Sequence, residues 1–217
     1  ATTEIYTAGH SSAASDVYKR QEHRFPAALD DCVASYRWLL SQGYRPENIV
    51  IAGDSAGGGL TASTLVALRD AGDPLPAAGM LLCPATDLTL SGETFKSNAR
   101  KEPMINEKIC RMWIDMYLGD TDPKDPLASP SYANLEGLPP LYIQIGSCEL
   151  LLDDARHMAE AARGCGVPVE LEVFDGMFHV WQLFFYMLPE GRDAVNKLGD
   201  FCRDKMASSD AIKEQVG

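Results

Sequence analysis

The chain has 217 residues, of which 46% are hydrophobic and 23% are charged, which is the composition of an ordinary globular domain. That composition excludes collagen-like, mucin-like and largely disordered proteins. The formal net charge of -12 argues against nucleic-acid binding, because such binding draws most of its affinity from neutralised phosphates.

The first 21 residues show no helical or strand periodicity, and they join abruptly to a well-patterned segment that begins at Glu22. The string SSAASDVYKRQ, at 11–21, is the translation of a transposase adapter used in short-read sequencing. The string ATTEIYT, at 1–7, resembles the translation of the flow-cell adapter that precedes it. We therefore expect 1–21 to be an adapter-derived artefact and the fold to be encoded from Glu22 onward.

Strands and helices are predicted to alternate along the rest of the chain. Short apolar runs predict strands at 48–52, 78–83, 141–145 and 169–174. Helical periodicity predicts helices at 28–42, 60–71, 106–118, 153–163 and 189–206. This order favours an α/β fold with a mostly parallel sheet and helices on both faces. A long polar interval at 87–130 is typical of an insertion beside a functional site.

Ser55 is the candidate nucleophile, in the sequence Gly53-Asp54-Ser55-Ala56-Gly57. This matches the GxSxG elbow, in which a sharp strand-to-helix turn exposes the serine hydroxyl. A strand before it and a helix after it are the context that the motif requires. The Ala56 amide would then face a developing oxyanion at the helix N-terminus. Asp54 would lie next to the reacting residues without touching the substrate. A glycine-rich turn that binds a phosphate, or nothing, is the alternative.

A serine nucleophile needs a histidine base, and His179 is the best placed of the four histidines. It follows the last predicted strand, at the edge where open α/β sheets place their sites. His10 lies in the adapter-like segment, His23 in an extended segment, and His157 within a helix. The alternative for His179 is an ordinary hydrogen-bonded histidine in a loop.

Glu149 is the candidate acid, because it directly follows the third strand and can reach an imidazole that the next strand delivers. Asp153 is the rival, but it begins the following helix and is expected to cap that helix. The resulting order of nucleophile, acid and base is that of α/β-hydrolases and differs from the two main serine-protease orders.

From Glu22 onward the chain resembles the hormone-sensitive lipase-like esterases, a branch of the α/β-hydrolases. The resemblance is carried by EHRFPAA at 22–28, GDSAGG at 53–58, DP at 125–126, ASP at 128–130, LPP at 138–140 and HVW at 179–181. It implies hydrolysis of short-chain acyl esters through Ser55, Glu149 and His179, with no cofactor and no metal. Glutamate here stands where the family more often has aspartate.

The resemblance also predicts what the chain lacks. The HGGG loop of the family, which supplies two oxyanion amides, would stand where the adapter-like sequence lies. We therefore expect an inactive fragment without the first strands of the sheet. Within the cap-proximal insertion, 87–130, we expect Met104, Ile105 and Trp113 to form a confined apolar wall.

Two other functions stay open at this point: a ligand-binding receptor on the same fold, and an amidase or peptidase that uses the same triad. The six scattered cysteines form no CxxC pair and no signal peptide is evident, which indicates reduced thiols and a cytoplasmic location. No apolar run approaches the roughly 20 residues that span a bilayer. The expected partner is a small-molecule ester, without nucleic acid or an integral membrane association, and the oligomeric state is left open.

Overall fold

The computed structural model describes the chain from residue 23 to residue 214, with side chains to residue 206. The expected adapter-derived segment, 1–21, lies outside the described residues and stays a prediction. The helices are α1 (Ala27–Ser41), α2 (Ala56–Asp70), α3 (Thr94–Ser97), α4 (Glu107–Leu118), α5 (Leu152–Gly164) and α6 (Pro189–Glu214). The strands are β1 (Val50–Asp54), β2 (Ala78–Leu82), β3 (Leu141–Gly146) and β4 (Val169–Phe174).

The four strands form one sheet in the order β1-β2-β3-β4, and every neighbouring pair is parallel. The predicted α/β fold with a parallel sheet is therefore confirmed. In a parallel sheet all strands point the same way, so the loops that follow β1, β2, β3 and β4 meet at one edge. The polar residues of interest follow the ends of these strands.

Apolar side chains of the strands alternate between two cores, one on each face of the sheet. On one face Ile51 and Leu81 pack with Leu65 of α2 and Met158 of α5. On the other face the neighbouring strand residues, Val50, Ala52, Met80 and Tyr142, pack with Phe201 of α6. Helices therefore cover both faces, as the sequence predicts.

The start of α2 differs from its prediction. The sequence predicts a start at residue 60, because Gly57, Gly58 and Gly59 are poor helix formers, but the helix begins at Ala56. Close packing explains the glycines, since a Cβ at Gly59 would lie 2.0 Å from the carbonyl oxygen of Ala85. The helix can approach the loop after β2 only without side chains here.

Other boundaries move as well. The first strand runs Val50–Asp54 instead of 48–52, because Pro46–Asn48 forms a 3-10 turn. The last helix runs past residue 206 to Glu214, and the insertion carries an unpredicted short helix, α3. None of the helices between residues 23 and 214 combines the length and apolarity that crossing a bilayer requires.

Candidate active site

Ser55 stands at a strained turn between β1 and α2. Its φ is 55° and its ψ is -121°, a region that non-glycine residues rarely adopt. The Ser55 amide donates to the carbonyl oxygen of Leu82 at 2.8 Å, which fixes the turn against β2. A Cβ at Gly53 would lie 2.2 Å from the carbonyl oxygen of Gly57, so the turn needs glycine there. The observed geometry is that of the predicted elbow.

The structure brings Ser55, Glu149 and His179 together from three different loops. The Ser55 Oγ atom lies 2.8 Å from His179 Nε2, and Glu149 Oε2 lies 2.8 Å from His179 Nδ1. Glu149 is fully buried and His179 is 3% exposed. The histidine is thus hydrogen-bonded on both ring nitrogens.

The partners of Glu149 decide the tautomer of His179. A carboxylate only accepts hydrogen bonds, so the ring proton lies on Nδ1 and Nε2 accepts from the Ser55 hydroxyl. The other carboxylate oxygen, Oε1, accepts from the Gly146 amide at 2.6 Å. Both oxygens of Glu149 are therefore engaged, and the neutral imidazole is oriented to take the serine proton.

Two predicted site residues do not have the expected role. Asp153 does not cap its own helix: α5 has no side-chain cap, and the Asp153 carboxylate accepts from the Thr94 amide at 3.0 Å. Met104 is 46% exposed and lies outside the lining of the pocket beside Ser55.

The other predicted residues lie at the site. Asp54 is the last residue of β1, and Ala56 is the exposed first residue of α2, where a helix presents unsatisfied amides. Ile105 and Trp113 line an apolar cavity of about 90 Å³ that includes Ser55 and Ala56. Further apolar side chains in this wall are Leu60, Leu90, Ile114 and Tyr117.

Asp154 is a buried carboxylate that the sequence pattern does not predict. Its Oδ2 atom accepts from the amides of Thr86 and Asp87, each at 3.0 Å. Burial raises its pKa from 3.8 to about 7, although these hydrogen bonds act in the opposite direction. Two adjacent aspartates at a helix start are an ordinary solvent-exposed pattern, so nothing in the sequence marks this one as buried.

Cys83 is a further buried group close to the three. Its thiol and the ligand atoms of Glu149 and His179 all lie within 4.8 Å of one another. Burial, followed by the neighbouring Glu149, raises the pKa of the thiol well above its usual range, so it is protonated. A metal ion would need the thiolate and both hydrogen-bonded partners. We therefore assign Cys83 to structure: its sulfur accepts from the Val180 amide at 3.4 Å.

Comparison with known proteins finds similar chains among the alpha/beta hydrolases. The family described as alpha/beta hydrolase fold matches residues 19–183. An acetyl-hydrolase of Streptomyces hygroscopicus is 48% identical over 187 residues, which are 86% of this chain and 62% of that protein. The crystal structure of an esterase from the bacterial hormone-sensitive lipase family is 50% identical, with a TM-score of 0.84.

That esterase structure is covered over 62% of its length by 85% of this chain. A further esterase structure, soaked with p-nitrophenyl butyrate, is 46% identical with a TM-score of 0.84, over 86% of this chain and 63% of that one. The chain thus spans a little under two thirds of the length of these relatives.

Proposed function

Since this chain belongs to the alpha/beta hydrolase fold family, in its hormone-sensitive lipase-like branch, we propose that the protein hydrolyses carboxylic esters. The observation that carries the proposal is the pair of 2.8 Å contacts that link Ser55, His179 and Glu149. A serine hydroxyl alone is a weak nucleophile, and this arrangement supplies the base and the group that orients it.

In the proposed reaction, Ser55 Oγ attacks the ester carbonyl carbon while His179 Nε2 accepts the hydroxyl proton. Glu149 stabilises the imidazolium that forms. Collapse of the tetrahedral intermediate breaks the bond to the alcohol oxygen, which takes the proton from His179. Water then attacks the acyl-enzyme with the same histidine as base, and the carboxylic acid leaves.

The Ala56 amide is the proposed oxyanion donor from the described residues. It lies one residue after the nucleophile, at the first position of α2, where backbone amides and the helix dipole favour negative charge. Each such donor contributes roughly 10² to 10³ in kcat. The expectation that the 217-residue chain by itself is inactive stays a prediction.

We further propose that the substrate carries a short acyl chain. The cavity beside Ser55 has a volume of about 90 Å³, well below the roughly 300 Å³ or more of sites that hold drug-sized ligands. Part of its apolar wall comes from the insertion, 87–130, including Ile105 and Trp113. The relative named an acetyl-hydrolase is consistent with a small acyl group.

The proposal is tested by labelling with a fluorophosphonate, which reacts covalently with an activated serine. The 217-residue chain is compared with a chimera that adds the part of the Streptomyces relative outside the matched region, each with a Ser55→Ala control. Labelling that disappears with Ser55→Ala is expected in at least the chimera. No labelling in either protein would overturn the proposal and favour the receptor alternative.

Turnover then separates the two hydrolase alternatives. The protein that reacts with the fluorophosphonate is assayed, in its unreacted form, with p-nitrophenyl acetate, butyrate and octanoate and with the matching anilides. We expect kcat/KM to be highest for the acetate or butyrate ester. A higher kcat/KM for the anilides would instead assign the protein as an amidase.

A further inference from the structure

Three buried polar side chains stand at four-residue intervals at the start of the insertion: Thr94, Asn98 and Glu102. Backbone hydrogen bonds join them, from Asn98 N to Thr94 O at 3.0 Å and from Glu102 N to Asn98 O at 3.1 Å. This spacing puts all three on one side of the segment. They are 6%, 4% and 7% exposed, respectively. Between them lie three exposed basic side chains, Lys96, Arg100 and Lys101.

The first two of these residues hold the loop that carries the acid. The Thr94 hydroxyl donates to the carbonyl oxygen of Leu150 at 2.7 Å. The Asn98 side-chain amide donates to two carbonyl oxygens, that of Ser147 at 3.1 Å and that of Glu149 at 2.9 Å. These three hydrogen bonds fix the backbone around Glu149, from Ser147 to Leu150.

The third residue holds the backbone of the base. Glu102 Oε2 accepts from the His179 amide at 2.9 Å, while Oε1 accepts from the Met104 amide at 2.7 Å. Each carboxylate oxygen thus has its own partner, and one of them is the backbone of the candidate base. The Glu102 side chain is largely removed from water, and this burial raises the pKa of its carboxyl.

The backbone that Glu102 holds is strained. Val180, the next residue after His179, has a φ of 51°, in the left-handed region that a β-branched residue rarely adopts. Such a conformation is energetically unfavourable and persists only where its surroundings enforce it. The Glu102 carboxylate on one amide and the Cys83 sulfur on the next supply that restraint.

We propose that Thr94, Asn98 and Glu102 are positioning residues for the proposed ester hydrolysis, holding the Glu149 loop and the His179 backbone in the reactive arrangement. The inference rests on the proposed function. None of the three touches Ser55 or lines the cavity beside it. Their effect on the reaction is therefore transmitted through the backbones of the acid and the base.

The chemistry of Glu102 makes it the most informative residue to change. Glutamine keeps the shape but has one oxygen in place of two, so either the Met104 or the His179 amide loses its acceptor. A misplacement of about 1 Å in a catalytic group can cost roughly 10²-fold in rate. We expect Glu102→Gln to lower kcat by about 10-fold to 100-fold and to leave KM within about twofold.

The matched control is Glu93→Gln, the same substitution at an exposed position on the same segment. Each variant is assayed with p-nitrophenyl butyrate, with folded active sites counted by fluorophosphonate labelling. Thr94→Val, which replaces the hydroxyl with a methyl group, serves as a milder variant that retains the fold, and we expect a kcat loss of about threefold. Unchanged kcat per folded site in both Glu102→Gln and Thr94→Val would overturn the proposal.

A second measurement needs no turnover. The proton between His179 Nδ1 and Glu149 gives a low-field proton NMR signal, which is assigned by its loss in His179→Gln. We expect this signal to shift or broaden in Glu102→Gln and to stay unchanged in Glu93→Gln. A chimera that shows the signal but neither reacts with the fluorophosphonate nor turns over esters would refute the proposed function alone, whereas an unaltered signal in Glu102→Gln would refute the positioning role.

Discussion

The nucleophile and its two partners are held by different kinds of structure. Ser55 is fixed locally, by a glycine two residues before it, a helix that starts one residue after it, and a backbone hydrogen bond to β2. Glu149 and His179 lie in loops after β3 and β4, and buried side chains from 94–102 hold their backbones. The elbow is therefore a feature of one short segment, whereas the acid and the base depend on a distant one.

Substitutions at the elbow should therefore affect the chemistry, and substitutions beneath the acid and the base should affect positioning. A change at the elbow removes the reacting atom without disturbing the rest of the site. A change beneath the acid or the base alters where a group lies, so its effect is graded. The substitutions that follow test this division, starting with the largest expected effect.

Ser55→Ala removes the reacting oxygen at the elbow. We expect kcat for p-nitrophenyl butyrate to fall by roughly 10⁴-fold or more, because no other group can form the acyl-enzyme. The circular dichroism spectrum and melting temperature should stay close to the wild-type values, since backbone contacts hold the turn. The control is Ser41→Ala, at an exposed position at the end of α1. Turnover retained by Ser55→Ala would remove this residue from the mechanism.

Glu149→Gln tests the part of the site that lies in the loops after β3 and β4. The amide cannot stabilise the imidazolium, and its NH₂ group would face either His179 Nδ1 or the Gly146 amide, both of which donate to the carboxylate. We expect kcat to fall by about 10² to 10⁴. Glu160→Gln, the same change at an exposed position of α5, should leave kcat unchanged.

The losses of kcat in Glu149→Gln and Glu102→Gln are then compared, because the first residue contacts the imidazole and the second contacts the His179 backbone. The loss of kcat in Glu149→Gln should exceed the loss of kcat in Glu102→Gln, because of these two residues only Glu149 contacts the imidazole. Equal losses in the two variants would mean that Glu149 also acts only by placing the histidine.

The same contrast explains how much could be predicted from the sequence. Ser55 could be found because its motif, strand and helix are contiguous, and the alternating pattern was enough for the α/β sheet. His179 and Glu149 could be proposed because both follow strands that end at one edge. The segment that holds them could not be found, because Thr94, Asn98 and Glu102 stand among exposed lysines and arginines and read as a polar loop.

The predictions for Met104 and Asp153 are wrong. An apolar side chain in the insertion was expected to face the pocket, and an aspartate at a helix start was expected to cap that helix. A contact from a distant segment decides the second, because the Asp153 carboxylate accepts from the Thr94 amide; nothing in the described residues explains the exposure of Met104. Local pattern carries no information about such partners.

Asp154→Asn tests whether a buried acid outside the triad acts on stability alone. Its pKa is raised from 3.8 to about 7 in the folded protein. The protonated form is therefore the one that folding favours, so its stabilising contribution is complete below about pH 4 and is lost as the pH rises through about 7. Asparagine does not ionise, and its single oxygen can still accept from Thr86 and Asp87.

The free energy of unfolding of each protein is measured in urea at pH 5 and pH 8. Relative to wild type, Asp154→Asn should gain about 3 kcal/mol in stability between these two pH values. Asp115→Asn, at an exposed position of α4, should show no such gain. A pH-independent difference for Asp154→Asn would mean that Asp154 is already ionised in the folded protein at pH 5.

Trp113→Ala tests the part of the insertion that lines the cavity beside Ser55, and we expect a modest change in substrate preference. Trp113 lines the cavity with its indole and is also 44% exposed, so its removal should widen the acyl site at little cost to the core. One methylene group in an apolar pocket changes the binding free energy by about 1 to 3 kcal/mol. Removal of the indole should therefore allow longer acyl chains to bind in the cavity. We expect Trp113→Ala to raise kcat/KM for the octanoate ester over that for the acetate by about 3-fold to 10-fold. The control is Trp38→Ala, a tryptophan of α1 that is 58% exposed and lies outside the cavity. If kcat/KM for all esters falls equally in Trp113→Ala, the insertion acts at this residue by positioning, as it does at 94–102, and the acyl preference is set elsewhere.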